Sequence, residues 1–139
     1  MAIAVAAARF LGVDVAATEW RRGLDVFFEI HGTGAEKRWL KRQPDHVTGA
    51  AMMWTAKEAL AKAKGVGLAT RWDGLELIPI SGQKFSPARE ALEVRTSVHS
   101  LCMDGLALSV AFPEGATVPQ ILDWRFKSPC VCTANRTER

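Results

Sequence analysis

The chain opens on an apolar stretch. Ile3, Phe10, Leu11, Val13 and Val15 dominate residues 3 to 16, and the valines predict a strand at about 9 to 16. Asp14 is then an acid in an otherwise apolar strand. Such an acid needs a partner, which can be a metal, a cap, or a backbone N–H at the strand end. From Thr18 the period changes: Trp20, Leu24, Phe27 and Phe28 recur at helical spacing, with Thr18 as the expected cap. His31-Gly32-Thr33-Gly34 predicts a turn. Its glycines lack the Gly-Lys-Ser/Thr sequel of a phosphate loop. Thr33 and Glu36 form a capping box for a second helix, with Trp39 and Leu40 as its apolar side and Lys37, Arg38, Lys41 and Arg42 as a basic face.

Pro44-Asp45 breaks the chain, and Asp45 or Thr48 starts a long helix that runs to Lys64. Ala50, Ala51, Met53 and Trp54 predict that its first half is buried. Gly65-Val66-Gly67-Leu68 leaves it as a flexible loop. The second half of the chain alternates instead. A turn and a strand occupy Trp72 to Ile80, Ser81 to Pro87 reads as loop, and Leu92 to Val98 as strand. Met103-Asp104-Gly105-Leu106 turns into a last strand, Leu106 to Phe112, which makes a hairpin. A strand, then two or three helices, then two or three antiparallel strands is an α+β architecture. Residues 1–112 form the domain, and 113–139 a partly loose extension with a possible anchor at Ile121, Leu122 and Trp124.

The 139 residues fit one domain with a real core. Hydrophobic residues are 48% and charged ones 24%, the balance of a soluble globular protein. A net charge of +3 suits an acidic partner. No basic stretch is interleaved with aromatics, which argues against nucleic acid, and no apolar run is long enough to span a membrane. Cys102, Cys130 and Cys132 have neither the number nor the spacing for a disulfide framework or a zinc site, so a cytoplasmic setting is expected.

The richest chemistry lies in Trp54-Thr55-Ala56-Lys57-Glu58-Ala59-Leu60-Ala61-Lys62-Ala63-Lys64-Gly65. On a helix, Trp54, Glu58 and Lys62 share one face. Lys57 lies beside that face, and Lys64 falls in the last turn. A carboxylate among ammonium groups suits a divalent metal plus a polyanion, and it equally suits a surface helix with Glu–Lys pairs. The face that Trp54 shares with Glu58 is expected to be partly buried.

Trp-Thr-Ala-Lys-Glu-Ala-x-x-Lys-x-x-Gly resembles the second signature of the 4′-phosphopantetheinyl transferases. Leu11-Gly12-Val13-Asp14-Val15 resembles their first, Gly-(Ile/Val)-Asp, in the right order and at the right distance. The resemblance covers about residues 10 to 112. It implies the strand–helices–strands unit of that family, and transfer of 4′-phosphopantetheine from coenzyme A to a carrier-protein serine with Mg²⁺. It also implies roles. Asp14 and Glu58 would hold the metal, Glu58 or a metal-held water would take the serine proton, and Lys62 would meet the diphosphate. Lys57, Lys64 and Gly65 would line the coenzyme; His99, in Thr96-Ser97-Val98-His99-Ser100, partly echoes the family's Ser-His-Ser segment and would join them, or is an ordinary surface or hairpin histidine. The basic face at Lys37 to Arg42 would be solvated, or would meet the carrier or the coenzyme 3′-phosphate. The partner that the resemblance implies is an acyl or peptidyl carrier protein.

Two departures qualify this. Larger members carry an acid two residues after the aspartate, where this chain has Ala16. Small holo-acyl-carrier-protein synthases carry a glutamate three residues after it, where this chain has Ala17. The chain also has room for only one of the two halves of the larger members. Small members work as trimers with the site between subunits, so a homo-oligomer, by preference a trimer, is expected. The alternative is a non-catalytic relative that binds coenzyme A or docks within a larger synthase.

Overall fold

The computed structural model describes residues 11–21, 23–66, 74–88 and 95–116. The order is β1 (Gly12–Ala17), α1 (Leu24–His31), α2 (Gly34–Lys41), α3 (His46–Ala63), β2 (Leu77–Ser81), β3 (Lys84–Pro87), β4 (Thr96–Met103) and β5 (Leu106–Pro113). The strands form one antiparallel sheet in the order β1-β5-β4-β3-β2. The first strand therefore pairs with the last. This is the expected α+β architecture. The expected strand residues 9, 10 and 92–94, the Gly67-Leu68 loop, the Trp20 side chain, the two C-terminal cysteines and the tail beyond 116 lie outside what is described.

Three expectations need correction. Thr18 caps no α-helix. It opens a single 3₁₀ turn, Thr18–Arg21, and its hydroxyl donates to the Gly105 carbonyl at 3.1 Å. The break comes at Gly23, whose φ of 92° is left-handed and restarts the chain as α1. The stretch 81–87 is not all loop either. Gly82 and Gln83 make a two-residue turn, and Lys84–Pro87 pairs with β2 as β3. Phe85 is its one large inward side chain and is fully buried. That lone apolar residue beside Gly and Pro left no visible alternation. The third correction concerns number: four strands follow the helices among the described residues, where two or three were expected.

The other boundaries follow the sequence. Thr33 and Glu36 cap α2 reciprocally. Asp45, rather than Thr48, caps α3 by accepting from the N–H groups of Val47 and Thr48. The Thr48 hydroxyl also bonds that carboxylate and is the main cause holding Asp45 below the usual carboxylate range. Gly65, at φ 67°, follows the end of α3. Asp104 and Gly105, at φ 51° and 73°, form the β4–β5 turn.

Helix α3 lies on one face of the sheet, against β1, β5 and β4, with α1 and α2 beside it. Its core partners include Phe28, Leu77, Phe85 and Val98. Trp39 of α2 stacks edge-on against Phe85 at 5.0 Å and donates its indole N–H to the Gly82 carbonyl at 3.0 Å. Among the described residues no helix is long and apolar enough to cross a membrane.

Candidate active site

From Gly49 to Ala63, every residue of α3 is buried except Trp54, Glu58 and Lys62. A helix buried almost all round therefore keeps one open stripe at i, i+4 and i+8. Glu58 and Lys62, two of the polar residues expected to do chemistry, lie on it. At one end of the stripe Trp54 packs on Phe27 of α1, with ring centroids 6.0 Å apart. At the other end Lys62 meets β1.

Contacts running along α3 fix the helix on the sheet there. The Thr55 hydroxyl, fully buried, lies 2.7 Å from the Ser109 hydroxyl of β5, which lies 2.6 Å from that of Ser100 on β4. Ser109 is the cross-strand partner of Asp14. Further along, Gly12 presses on the helix backbone. A Cβ there would sit 1.8 Å from the Ala59 carbonyl oxygen and 2.6 Å from the Ala63 nitrogen. Finally the Lys62 ammonium donates to Asp14 Oδ1 at 2.8 Å and to the Val13 carbonyl at 3.0 Å.

Glu58 lies one turn after Thr55 and one turn before Lys62, on the same side of the helix. Its two helical neighbours thus touch Asp14 and Asp14's strand partner. The fold joins Asp14 and Lys62 at the β1 edge, with Glu58 one helical turn before Lys62. Asp14 is 14% exposed and Lys62 52%, so the locus is open to solvent on the lysine side.

The remaining candidates sit elsewhere. Lys57 points away from the stripe into the core, where its ammonium pairs with Glu36 at 2.7 Å and donates to the Leu75 carbonyl at 2.9 Å. Lys64, two turns on, donates to the adjacent Gly74 carbonyl at 3.1 Å, and burial lowers its pKa. Gly65 is exposed just beyond it. His99 lies on the other face of the sheet. Ser100 points at α3, so its neighbour points away, and the His99 ring rests on Phe112 at 5.0 Å. Within one chain, His99 is not brought to the Asp14–Lys62 locus.

Two parts of the site have no counterpart in the sequence reading. One is Glu36, a capping-box residue by its spacing, which also bonds across the fold. The other is the Thr55–Ser109–Ser100 hydroxyl chain. The Thr33-x-x-Glu36 spacing signalled only the local half of Glu36's role.

As a cation site, the locus offers the right donors. Among the described residues no group of three or more His, Cys, Asp or Glu side chains gathers. Two carboxylates suffice for Mg²⁺, which keeps several waters and takes its other oxygens from a phosphate substrate. A cation, the Lys62 ammonium, already rests on Asp14.

Residues 10–111 match the family model of the 4′-phosphopantetheinyl transferase superfamily. No curated protein matches the chain in sequence. Among solved structures, the chain is similar to the crystal structure of holo-[acyl-carrier-protein] synthase from Neisseria meningitidis. That match has a TM-score of 0.56 and 19% identity, and covers 76% of this chain and 98% of the other.

Proposed function

The chain belongs to the 4′-phosphopantetheinyl transferase superfamily, and from that premise we propose that it is a transferase of the holo-acyl-carrier-protein synthase type. It moves the 4′-phosphopantetheine arm of coenzyme A to a serine of an acyl or peptidyl carrier protein. The observation that carries this is the stripe of α3 that leaves Lys62 open on Asp14, with Glu58 half-buried one turn before it.

In the reaction the serine oxygen forms a new bond to the phosphorus on the pantetheine side of the diphosphate. The bridging P–O bond breaks, and 3′,5′-ADP leaves with that electron pair. Asp14 and Glu58 would hold Mg²⁺, which would supply neutralisation of the phosphate charge. Lys62 offers its ammonium to the diphosphate. Its long exposed stem lets it exchange the Asp14 carboxylate for a phosphate oxygen. Glu58 accepts the serine proton, directly or through a water. Lys64 and Gly65 border the coenzyme at the end of α3. His99 reaches the site from a neighbouring copy of the chain, which requires a homo-oligomer, by preference a trimer. Its place on the far sheet face supports that arrangement.

The test is to incubate the chain with coenzyme A, Mg²⁺ and an apo carrier protein, then weigh the carrier. Transfer adds the mass of the phosphopantetheine arm. Glu58→Ala is expected to abolish the gain while leaving the melting curve intact, and an unchanged rate removes Glu58 from the chemistry. The alternative reading, a relative that binds coenzyme A without transferring its arm, has Ala16 in its favour. Ala16 is buried where larger members carry an acid. Coenzyme binding without any gain in carrier mass selects it.

A further inference from the structure

Glu36 is fully buried, and its partner in the core is the Lys57 ammonium. Its Oε1 accepts the Leu77 N–H at 2.9 Å and lies 2.7 Å from the Lys57 ammonium. Its Oε2 accepts the Thr33 N–H at 3.0 Å. One carboxylate thus ties together the start of α2, the start of β2 and the middle of α3. Lys57 completes the link by donating to Leu75, two residues before the Leu77 N–H that Glu36 accepts. With side chains 1% and 4% exposed, each group has the other as its charged partner, and removing one leaves the other without it.

Lys57 immediately precedes Glu58. Anchoring Lys57 on the inner side of α3 fixes the roll of the helix, and roll decides where the opposite stripe points. A rotation of α3 by one residue's arc would carry Glu58 and Lys62 off the β1 edge. We propose that Glu36 is a positioning residue for the transfer site, acting through Lys57 to hold Glu58 and Lys62 against Asp14. This rests on the transfer reading above and gives the signature lysine a role inside the fold. The competing possibility is direct contact. A cavity of about 160 Å³ lined by Phe27, Phe28, His31 and Glu76 reaches the same pair, so a ligand group has a route to Lys57.

The test compares Glu36→Gln, Lys57→Met and the double variant in the full chain. Each is measured by thermal melting and by kcat and KM for coenzyme A. Each single variant strands one buried charge and is expected to lower Tm by about 10 °C or more. Each should also lower kcat roughly tenfold, with the coenzyme KM within about twofold of wild type. The double variant strands no charge, and the amide oxygen introduced by Glu36→Gln still accepts from the Leu77 N–H. It is expected to regain at least half of the lost Tm and most of the lost kcat. A lysine that binds coenzyme cannot be replaced in this way. If KM rises tenfold in Lys57→Met and stays there in the double, the proposal is overturned. Single variants that melt like wild type overturn it too. If the single variants do not fold, the double variant alone decides, by its kcat and KM. If wild type transfers nothing, the transfer reading fails, while the melting pattern and calorimetric coenzyme affinity still judge the anchor.

Discussion

Helix α3 carries two acid–lysine pairs of nearly equal length. Glu36–Lys57 closes at 2.7 Å and Asp14–Lys62 at 2.8 Å. The lysines are five residues apart and point to different sides of the helix. What separates the pairs is water. Side-chain exposure is 1% and 4% in the first and 14% and 52% in the second. A closed pair cannot trade partners without leaving a bare charge in the core, so it is suited to holding elements together. An open pair keeps a solvated lysine that can be offered to a phosphate at little cost. The same two side-chain chemistries serve architecture at one site and binding at the other, and burial decides which.

The sharpest way to break this comparison is to remove each ammonium with methionine. Lys57→Met should cost about 3–5 kcal/mol of folding stability, because Glu36 is left charged and enclosed. Lys62→Met should cost less, roughly 1–2 kcal/mol, since Lys62 is half exposed although the Asp14 it leaves is mostly covered. The transfer assay should reverse the order of effects on the coenzyme. Lys62→Met is expected to raise KM about tenfold, the worth of one charge-assisted contact, and Lys57→Met to leave it nearly unchanged. Denaturant unfolding and steady-state kinetics on both variants check the four values together. Equal losses of stability would mean that burial does not separate the pairs.

A second, smaller effect tests what holds the open pair in place. Gly12→Ala puts a methyl group 1.8 Å from the Ala59 carbonyl oxygen, so β1 must lift from α3. Overpacking of this kind costs about 1–3 kcal/mol. Asp14, two residues along, should move with the strand and lower transfer more than stability. Gly74→Ala, where an added Cβ meets nothing within 4 Å, is the control. It should stay within about 0.5 kcal/mol of wild type. If Gly12→Ala behaves like the control in both unfolding and transfer, the close approach does not set the site.

The residues of the open pair stood out in the sequence far more than those of the closed one, although nothing there joined Asp14 to Lys62. The spacing of Trp54, Glu58 and Lys62 is a property of one helix, and one helix can be read from its own residues. Asp14 stood out because an acid in an apolar strand needs a partner. The Glu36–Lys57 pair joins residues from two helices, and no local pattern reports such a contact. The capping box accounted for Glu36 so completely that nothing suggested a further bond. β3 was hidden for a related reason: its evidence is pairing with β2 and β4, while its own four residues carry one large apolar side chain. The face of His99 was likewise undecided. Alternation along β4 separates two faces, but only the Ser100–Ser109–Thr55 contacts tell which one meets α3.

That far face yields the smallest expected effect. Burial, and then the Lys84 ammonium on the neighbouring strand, hold the His99 pKa below its ordinary 6.5. The folded chain therefore resists protonating His99, while the unfolded chain accepts the proton freely. Between the lowered folded value and 6.5 the unfolded state binds more protons, so stability rises with pH across that window. Acidification through 6.5 should weaken the fold slightly and then level off once the folded form also protonates. Asp45 has the same sign in a separate window. Its folded pKa is depressed, so its share of stability is present above 3.8 and is lost as pH falls through the lower folded value. Unfolding midpoints measured from about pH 7 to pH 5 should flatten in His99→Gln, while the later acid loss from Asp45 persists. An unchanged slope in that variant would show that His99 meets water as freely in the folded chain as in the unfolded one.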